Sequence, residues 1–322
     1  MTERIVTVTL NPAIDLTVRL DGLHPGETHR ARGAVSNAGG KGVNVASCLA
    51  DWGAPVTVGG LLGKDNAASF EALFADKGIE DAMTRLPGAT RINVKLAERD
   101  GRTTDVNLPG LSTSQDDLDG LRAVLDRVAP SLLVLSGSLP EGLPARTWAD
   151  LSAEWRARGA RVVMDISEAP LAVALAGPGS RPHVLKPNRD ELSILAGAAL
   201  DAAGLLRQAR LIQASGVALV VVSLGAGGAL FVGPDEALHA KALHVDALSS
   251  VGAGDAMVAG LVAALVEDAD LVRTARLATA FAAGKLRVVG PHLPPRDAIE
   301  RLADQVKIKS ADDWVGARED AA

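Results

Sequence analysis

The sequence predicts an α/β fold, a mostly parallel sheet with helices on both faces and a second, small β-sheet set beside it as a lid. Three observations carry this. Short continuous apolar runs of strand length recur along the chain, separated by amphipathic stretches of helix length, as expected for strands buried on both faces. Two regions break the rhythm with strict alternation of apolar and polar residues, the pattern of strands with one wet face. Glycines stand where the helical patterns stop.

In chain order, residues 5–10 form the first buried strand candidate. Residues 14–20 alternate, with apolar residues at even positions, so Asp15, Thr17 and Arg19 share a polar face. A helix at 43–52 closes on Gly53, a strand follows at 56–59, and a helix at 66–77 closes on Gly78. Segments 91–96 and 104–108 alternate again, and Asp100-Gly101 between them predicts a hairpin. Their polar faces carry Arg91, Asn93 and Lys95, then Asp105 and Asn107. Such a face suits a lid over a polar ligand and equally an ordinary solvated surface. Helices at 114–128 and 144–158 flank a strand at 132–135, and strands at 161–165 and 219–223 follow. One domain is expected over 1–308, with lid strands at about 12–34 and 89–110. The charged, small-residue-rich tail 309–322 reads as a surface appendage, and no repeat or linker interrupts the chain.

Composition narrows the function. Nearly half of the 322 residues are apolar, ample for a large core, and tyrosine is absent. The net charge of -6 gives no overall attraction for polyanions, which argues against nucleic acid. An anionic small ligand would need local cations and backbone N–H groups. The single cysteine, Cys48, excludes intramolecular disulfides, fits a reducing cytoplasm, and reads as a structural thiol on an apolar helix face. The N-terminus leads into a strand without a signal-peptide pattern, and no uninterrupted apolar run is long enough to span a membrane.

The run Ser249-Ser250-Val251-Gly252-Ala253-Gly254-Asp255 precedes a helix too apolar to lie on a surface. Its N-terminal N–H groups and dipole would face whatever sits above the glycines, which suits an anion. Asp255 there is either a general base on a hydroxyl that attacks a phosphoryl group or a helix N-cap, and this segment alone leaves the two even. The phosphate-binding G-x-x-x-x-G-K-[ST] pattern is missing, and neither glycine cluster completes G-x-G-x-x-G, because Leu230 and Met257 interrupt them. Other turns stand at predicted strand ends or helix starts. Three bear glycine, Gly39-Gly40-Lys41-Gly42, Ser136-Gly137-Ser138 and Ser223-Leu224-Gly225-Ala226-Gly227-Gly228, and a fourth turn without glycine, Lys186-Pro187-Asn188-Arg189-Asp190-Glu191, ends a short strand and opens a helix.

Four ordered segments, Asn11-Pro12-Ala13-Ile14-Asp15, residues 39–46, Lys186-Pro187-Asn188-x-x-Glu191 and residues 251–255, resemble the signatures of the PfkB (ribokinase-like) carbohydrate kinases, over residues 5 to about 290. The resemblance implies a three-layer α/β/α sandwich with a β-sheet lid, ATP and Mg2+, and phosphoryl transfer to a sugar hydroxyl. It implies Asp255 as general base, with Gly252, Ala253 and Gly254 offering amides to the transferring group. Asp15, Asn44, Gly39 and Gly40 would meet the sugar, and Asn93, Asp105, Asn107 and Ser138 would complete its site. Arg91, Lys41 and Lys95 are the phosphate candidates, with Arg91 leading because a guanidinium binds phosphate bidentately. Lys186 and Asn188 would lie near the nucleotide phosphates, Glu191 would organise the metal through water, and Ser223, Leu224, Gly225, Ala226, Gly227 and Gly228 would form the adenosine side. Within the family, residues 63–66, 90–95, 105–107 and 136–140 favour fructose 1-phosphate as acceptor. Asp105 stands where relatives acting on fructose 6-phosphate carry an arginine. Tagatose 6-phosphate and fructose 6-phosphate remain alternatives, and a non-catalytic sugar-phosphate sensor is the alternative outside catalysis. The resemblance further implies a homodimer paired through the apolar lid faces. It gives no role to Gly290-Pro291-His292-Leu293-Pro294-Pro295.

Overall fold

The computed structural model describes residues 3–248 and 251–319. Ser249 and Ser250 of the glycine-rich run therefore lie outside the described residues, as do 320–322 of the tail. Among the described residues, ten strands form the main sheet. Its parallel part contains β1 (Ile5–Thr9), β4 (Val56–Gly63), β5 (Glu80–Leu86), β8 (Leu132–Ser136), β9 (Arg161–Asp165), β10 (Val184–Leu185) and β11 (Leu219–Ser223). They lie in the order β5-β4-β1-β8-β9-β10-β11, and β12 (Ala229–Val232), β13 (Ala237–Ala240) and β14 (Ile308–Ser310) extend this edge antiparallel.

Alternate residues of each parallel strand enter two separate cores. Ile5, Val58, Val134 and Val163 pack on one side, and Val6, Val8, Leu135 and Val162 on the other. Helices α1 (Lys41–Trp52), α2 (Ala68–Lys77), α8 (Ala253–Val266), α9 (Leu271–Leu286) and α10 (Arg296–Gln305) cover the first core. Helices α3 (Gln115–Val128), α4 (Thr147–Ala157), α5 (Glu168–Ala176), α6 (Arg189–Ala196) and α7 (Ala202–Ala214) lie on the second side with α11 (Ala311–Glu319). The expected three-layer α/β/α sandwich is present. Gly53 and Gly78 end α1 and α2 in left-handed conformations, φ 87° and 64°, as their positions predicted.

The chain leaves β1 for β4 on one side and returns through β8 on the other. A crevice opens at such a reversal beyond the strands' carboxyl ends. The lid stands over it as a four-stranded sheet, β3 (Gly33–Gly39), β2 (Ala13–Leu20), β6 (Arg91–Glu98), β7 (Thr103–Asn107). β6 and β7 are the predicted hairpin, with Gly101 at φ 91°. β3 was not legible because its residues are small and polar, and it reads as a loop until it pairs with β2.

The tail departs from the expected appendage. β14 pairs with β13, Ala311 and Trp314 are buried, and the Trp314 ring stacks on His239 at 4.9 Å. A tryptophan and an alanine three residues apart put one apolar stripe on an otherwise charged helix, and that stripe docks it.

Candidate active site

The period-two pattern of the lid becomes two polar rows crossing the sheet. Register places Asn37, Asp15, Asn93 and Asn107 side by side, and next to them Val35, Thr17, Lys95 and Asp105. Both rows line a cavity of about 700 Å³, closed on its far side by Asn44, Gly252, Lys285, Gly290 and Pro291. Asn93 donates from Nδ2 to Asp15 Oδ1 at 3.1 Å, while its buried Oδ1 has no partner among the described residues. A hydroxyl from a bound polyol would satisfy that oxygen. Burial raises the Asp15 carboxyl, against the hydrogen bond from Asn93 and the charges of Arg91 and Lys95. The Lys95 ammonium lies 2.5 Å from Asp105, a pair exposed enough to reorganise around an anion. Gly39 leaves room for the Asp15 carboxylate in its present position, since a Cβ there would stand 2.3 Å from Asp15 Oδ2 and displace it.

Below the lid, the N-termini of α1 and α8 converge. Gly252 caps α8 in a left-handed conformation, φ 83°, with no side chain on the first-turn N–H groups. Asp255, 8% exposed, sits in that turn and accepts a hydrogen bond from Asn44 Nδ2 at 2.8 Å. Its carboxyl is pushed up to about 6 by burial and then by Asp165, against Asn44, Lys41 and Lys186. A carboxylate poised there is suited to accept a proton near neutral pH. Asp255 makes no side-chain capping bond, so the N-cap alternative loses its main support.

Asp165, at the end of β9, was not anticipated. One oxygen receives Lys186 at 3.2 Å and Lys41 at 3.3 Å. Burial works to raise this carboxyl, but the two ammoniums outweigh it and hold it below its ordinary value. The signal in the sequence was an aspartate ending an otherwise apolar buried strand. The Lys186 ammonium stands 3.8 Å from where a Cβ on Gly254 would be, so it reaches the first turn of α8.

A shelf of turns lies along the ends of β10 and β11. Asn188 bridges to Ser223, and the turn Gly225–Gly227 follows at the edge of the sheet. Asn188 and Glu191 form a reciprocal capping box on α6, the Glu191 carboxylate accepting from the Asn188 N–H at 2.8 Å. Among the described residues no three His, Cys, Asp or Glu side chains cluster to hold a metal. The Glu191 carboxylate, a single hard oxygen donor, would suit a Mg2+ that takes most of its ligands from phosphates and water.

Three expectations are redrawn by the geometry. Arg91 does not line the cavity. Its guanidinium donates to the backbone oxygens of Asn11, Pro12 and Leu108, which ties the lid to the strand ends. Lys41 is engaged by Asp165 beneath the lid. Ser138 accepts from Asn11 Nδ2 at 3.1 Å and does not line the cavity. Reading residue type and strand position identified these cations, but which acceptors they meet depends on loops far away in sequence. Cys48 is buried, its thiol pushed up to about 12 by burial, as befits a structural cysteine. The unassigned segment turns out to be a wall of the cavity, anchored by hydrogen bonds from Ser47 to Pro291 and from the Leu293 N–H to Asp51.

The profile of the pfkB family carbohydrate kinases matches residues 7–297. The 1-phosphofructokinase of Xanthomonas campestris is 52% identical over 295 residues, covering 89% of this chain and 92% of that protein. That of Rhodobacter capsulatus is 47% identical, covering 96% and 99%. Among solved structures, phosphofructokinase-2 from Escherichia coli in complex with potassium superposes with a TM-score of 0.87 at 29% identity, over 94% of this chain and 99% of that one.

Proposed function

This chain belongs to the pfkB family of carbohydrate kinases, and from that premise we propose that it transfers the γ-phosphoryl group of ATP to fructose 1-phosphate, giving fructose 1,6-bisphosphate. The observation that carries this reading is the buried Asp255 carboxylate in an uncapped helix N-terminus beneath a polar lid cavity. The near-full-length likeness to 1-phosphofructokinases selects the acceptor.

In this reading the free primary hydroxyl of the sugar approaches Asp255, which takes its proton as the oxygen attacks the γ-phosphorus and the bond to the β-phosphate oxygen breaks, releasing ADP. The carboxyl's raised affinity for a proton makes it a base of suitable strength. The first-turn amides of α8 at Gly252, Ala253 and Gly254 receive the charge on the transferring group, and Lys186 stands beside them. Asp15, Asn44, Asn93 and Asn107 hold sugar hydroxyls, with Gly39 and Gly40 keeping the strand close. Lys95, released from Asp105, meets the phosphate already on the sugar. Arg91 and Ser138 support the lid from outside the cavity. Asn188 and the 223–228 turn receive the nucleotide. Mg2+ bound to the phosphates would neutralise their charge, and Glu191 is the carboxylate that would hold it through water. The protein is proposed to work in the cytoplasm as a homodimer whose lids cover each other; among the described residues no helix is long and apolar enough to cross a membrane.

ATP turnover on fructose 1-phosphate, fructose 6-phosphate and tagatose 6-phosphate tests the reading. The highest kcat/KM is expected with fructose 1-phosphate. A preference for tagatose 6-phosphate would move the assignment within the family, and binding without turnover on any acceptor would favour the sensor.

A further inference from the structure

Lys285 closes α9 and is 3% exposed. Among the described residues its ammonium donates to a single acceptor, the Val288 backbone oxygen, at the limiting distance of 3.5 Å. Among the described residues no carboxylate lies within ion-pair distance, although every other buried lysine has one: Lys186 has Asp165, and the Lys77 side chain has Asp51. A Cβ on Gly252 would stand 3.1 Å from Lys285 Cε and 3.9 Å from Nζ, which puts the ammonium directly against the cap of α8. The same place joins two loops, since the Leu248 N–H donates to Leu286 O at 2.7 Å and residues 289–291 continue into the cavity wall.

Retaining an ammonium away from water without a counter-charge is costly. A lysine in a last helical turn gains from the helix dipole, but it gains that equally at the surface, where α9 would let a long side chain reach. An anion above the N-terminus of α8 would balance the charge. Burial lowers the affinity of Lys285 for its proton, while Cys48 and Asp255 oppose that effect.

We propose that Lys285 is a built-in monovalent cation of the phosphoryl-transfer site, a positioning residue that clamps the loop after α9 against the Gly252 turn and adds fixed positive charge behind its amides. The proposal rests on the reading of α8 as the anion site. It makes turnover independent of added potassium or ammonium, because the protein carries its own ammonium at that point. It also gives residues 288–291, which sequence left without a role, the task of enclosing that charge.

The test compares wild type with Lys285→Ala and the apolar near-isostere Lys285→Met, after thermal unfolding shows which variants fold. Turnover is measured with ATP and the sugar phosphate the wild type prefers, in graded potassium, ammonium or methylammonium chloride, with tetramethylammonium chloride holding ionic strength constant. Wild type is expected to be indifferent to the small cations. Both variants are expected to lose kcat by about 10²-fold, the scale of one lost charge-stabilising donor, with smaller changes in KM. Lys285→Ala, which leaves a vacated volume, should regain turnover saturably with ammonium or potassium, and Lys285→Met should not. Strong activation of the wild type by potassium would overturn the proposal even if neither variant folds. A variant with undiminished kcat, or a loss in Lys285→Ala that no small cation repairs, would overturn it as well. Absence of wild-type turnover on every acceptor would instead remove the kinase reading beneath it.

Discussion

Asp255→Asn keeps the shape of the site and removes the charge that an incoming phosphate would meet. The new amide oxygen still accepts the hydrogen bond that Asn44 now gives at 2.8 Å. Because the carboxyl rises from 3.8 to about 6 on folding, the folded chain holds this proton more tightly than the unfolded chain does. Its contribution is therefore fully favourable below pH about 4 and is lost as pH rises through about 6. A shift of about 2 units corresponds to about 3 kcal/mol of strain from a buried charge at pH 8. The asparagine variant escapes that strain. At pH 8 its unfolding midpoint should lie several degrees above wild type, taking roughly 2–4 °C per kcal/mol for a large domain. At pH 4 the two midpoints should converge. Turnover should move the other way, falling about 10²–10⁴-fold as a general base is lost, and wild-type turnover should decline as pH drops through about 6. Circular-dichroism melts of ligand-free protein from pH 4 to 8 and a coupled kinase assay measure both. Equal midpoints at pH 8 would refute the buried-charge argument. Turnover within a few-fold of wild type would leave Asp255 as nothing more than part of a helix end.

Other substitutions separate the remaining parts of the site. Asp165→Asn leaves Lys41 and Lys186 without the negative charge they share, which should cost roughly 3–5 kcal/mol of stability; it should also move the acid limb of the pH profile lower, because Asp165 helps to raise Asp255. Melting curves and the pH dependence of kcat report the two effects, and an unmoved limb would show that the two carboxylates are not coupled. Lys95→Met should raise the KM for sugar phosphate by about one to two decades, the scale of a charge-assisted hydrogen bond, with the KM for ATP unchanged; an equal rise in both would place Lys95 outside the sugar site. Val94→Asp puts a charge among Leu16 and Val106 on the outer lid face, where Val106 is 46% exposed. Sedimentation at micromolar concentration should show a dimer for wild type and a monomer for the variant, and a wild-type monomer would exclude the lid interface.

The sequence by itself determined the layered architecture, because a strand buried on two faces and a strand wet on one leave different periodicities that need no partner to be read. It located the lid's polar residues to the correct face for the same reason: alternation assigns Asp15, Asn93, Lys95 and Asp105 to one side whatever they touch. It marked the N-terminus of α8 through an apolar helix that had to be interior. Tertiary structure decided what the charges do. Lys41, Lys186 and Asp165 lie far apart along the chain and meet only because the start of α1, which follows the lid strand β3, comes down beside the neighbouring ends of β9 and β10. Arg91 turned from a ligand candidate into a tie for the backbone at residues 11 and 12, an acceptor set that no local pattern encodes. β3 and α11 took their form from neighbours, one from β2 and the other from β13, since neither carries enough apolar residues to declare itself. Lys285 shows the same limit, for a lysine in the last turn of a helix reads as a surface residue until the loops around it shut out the water.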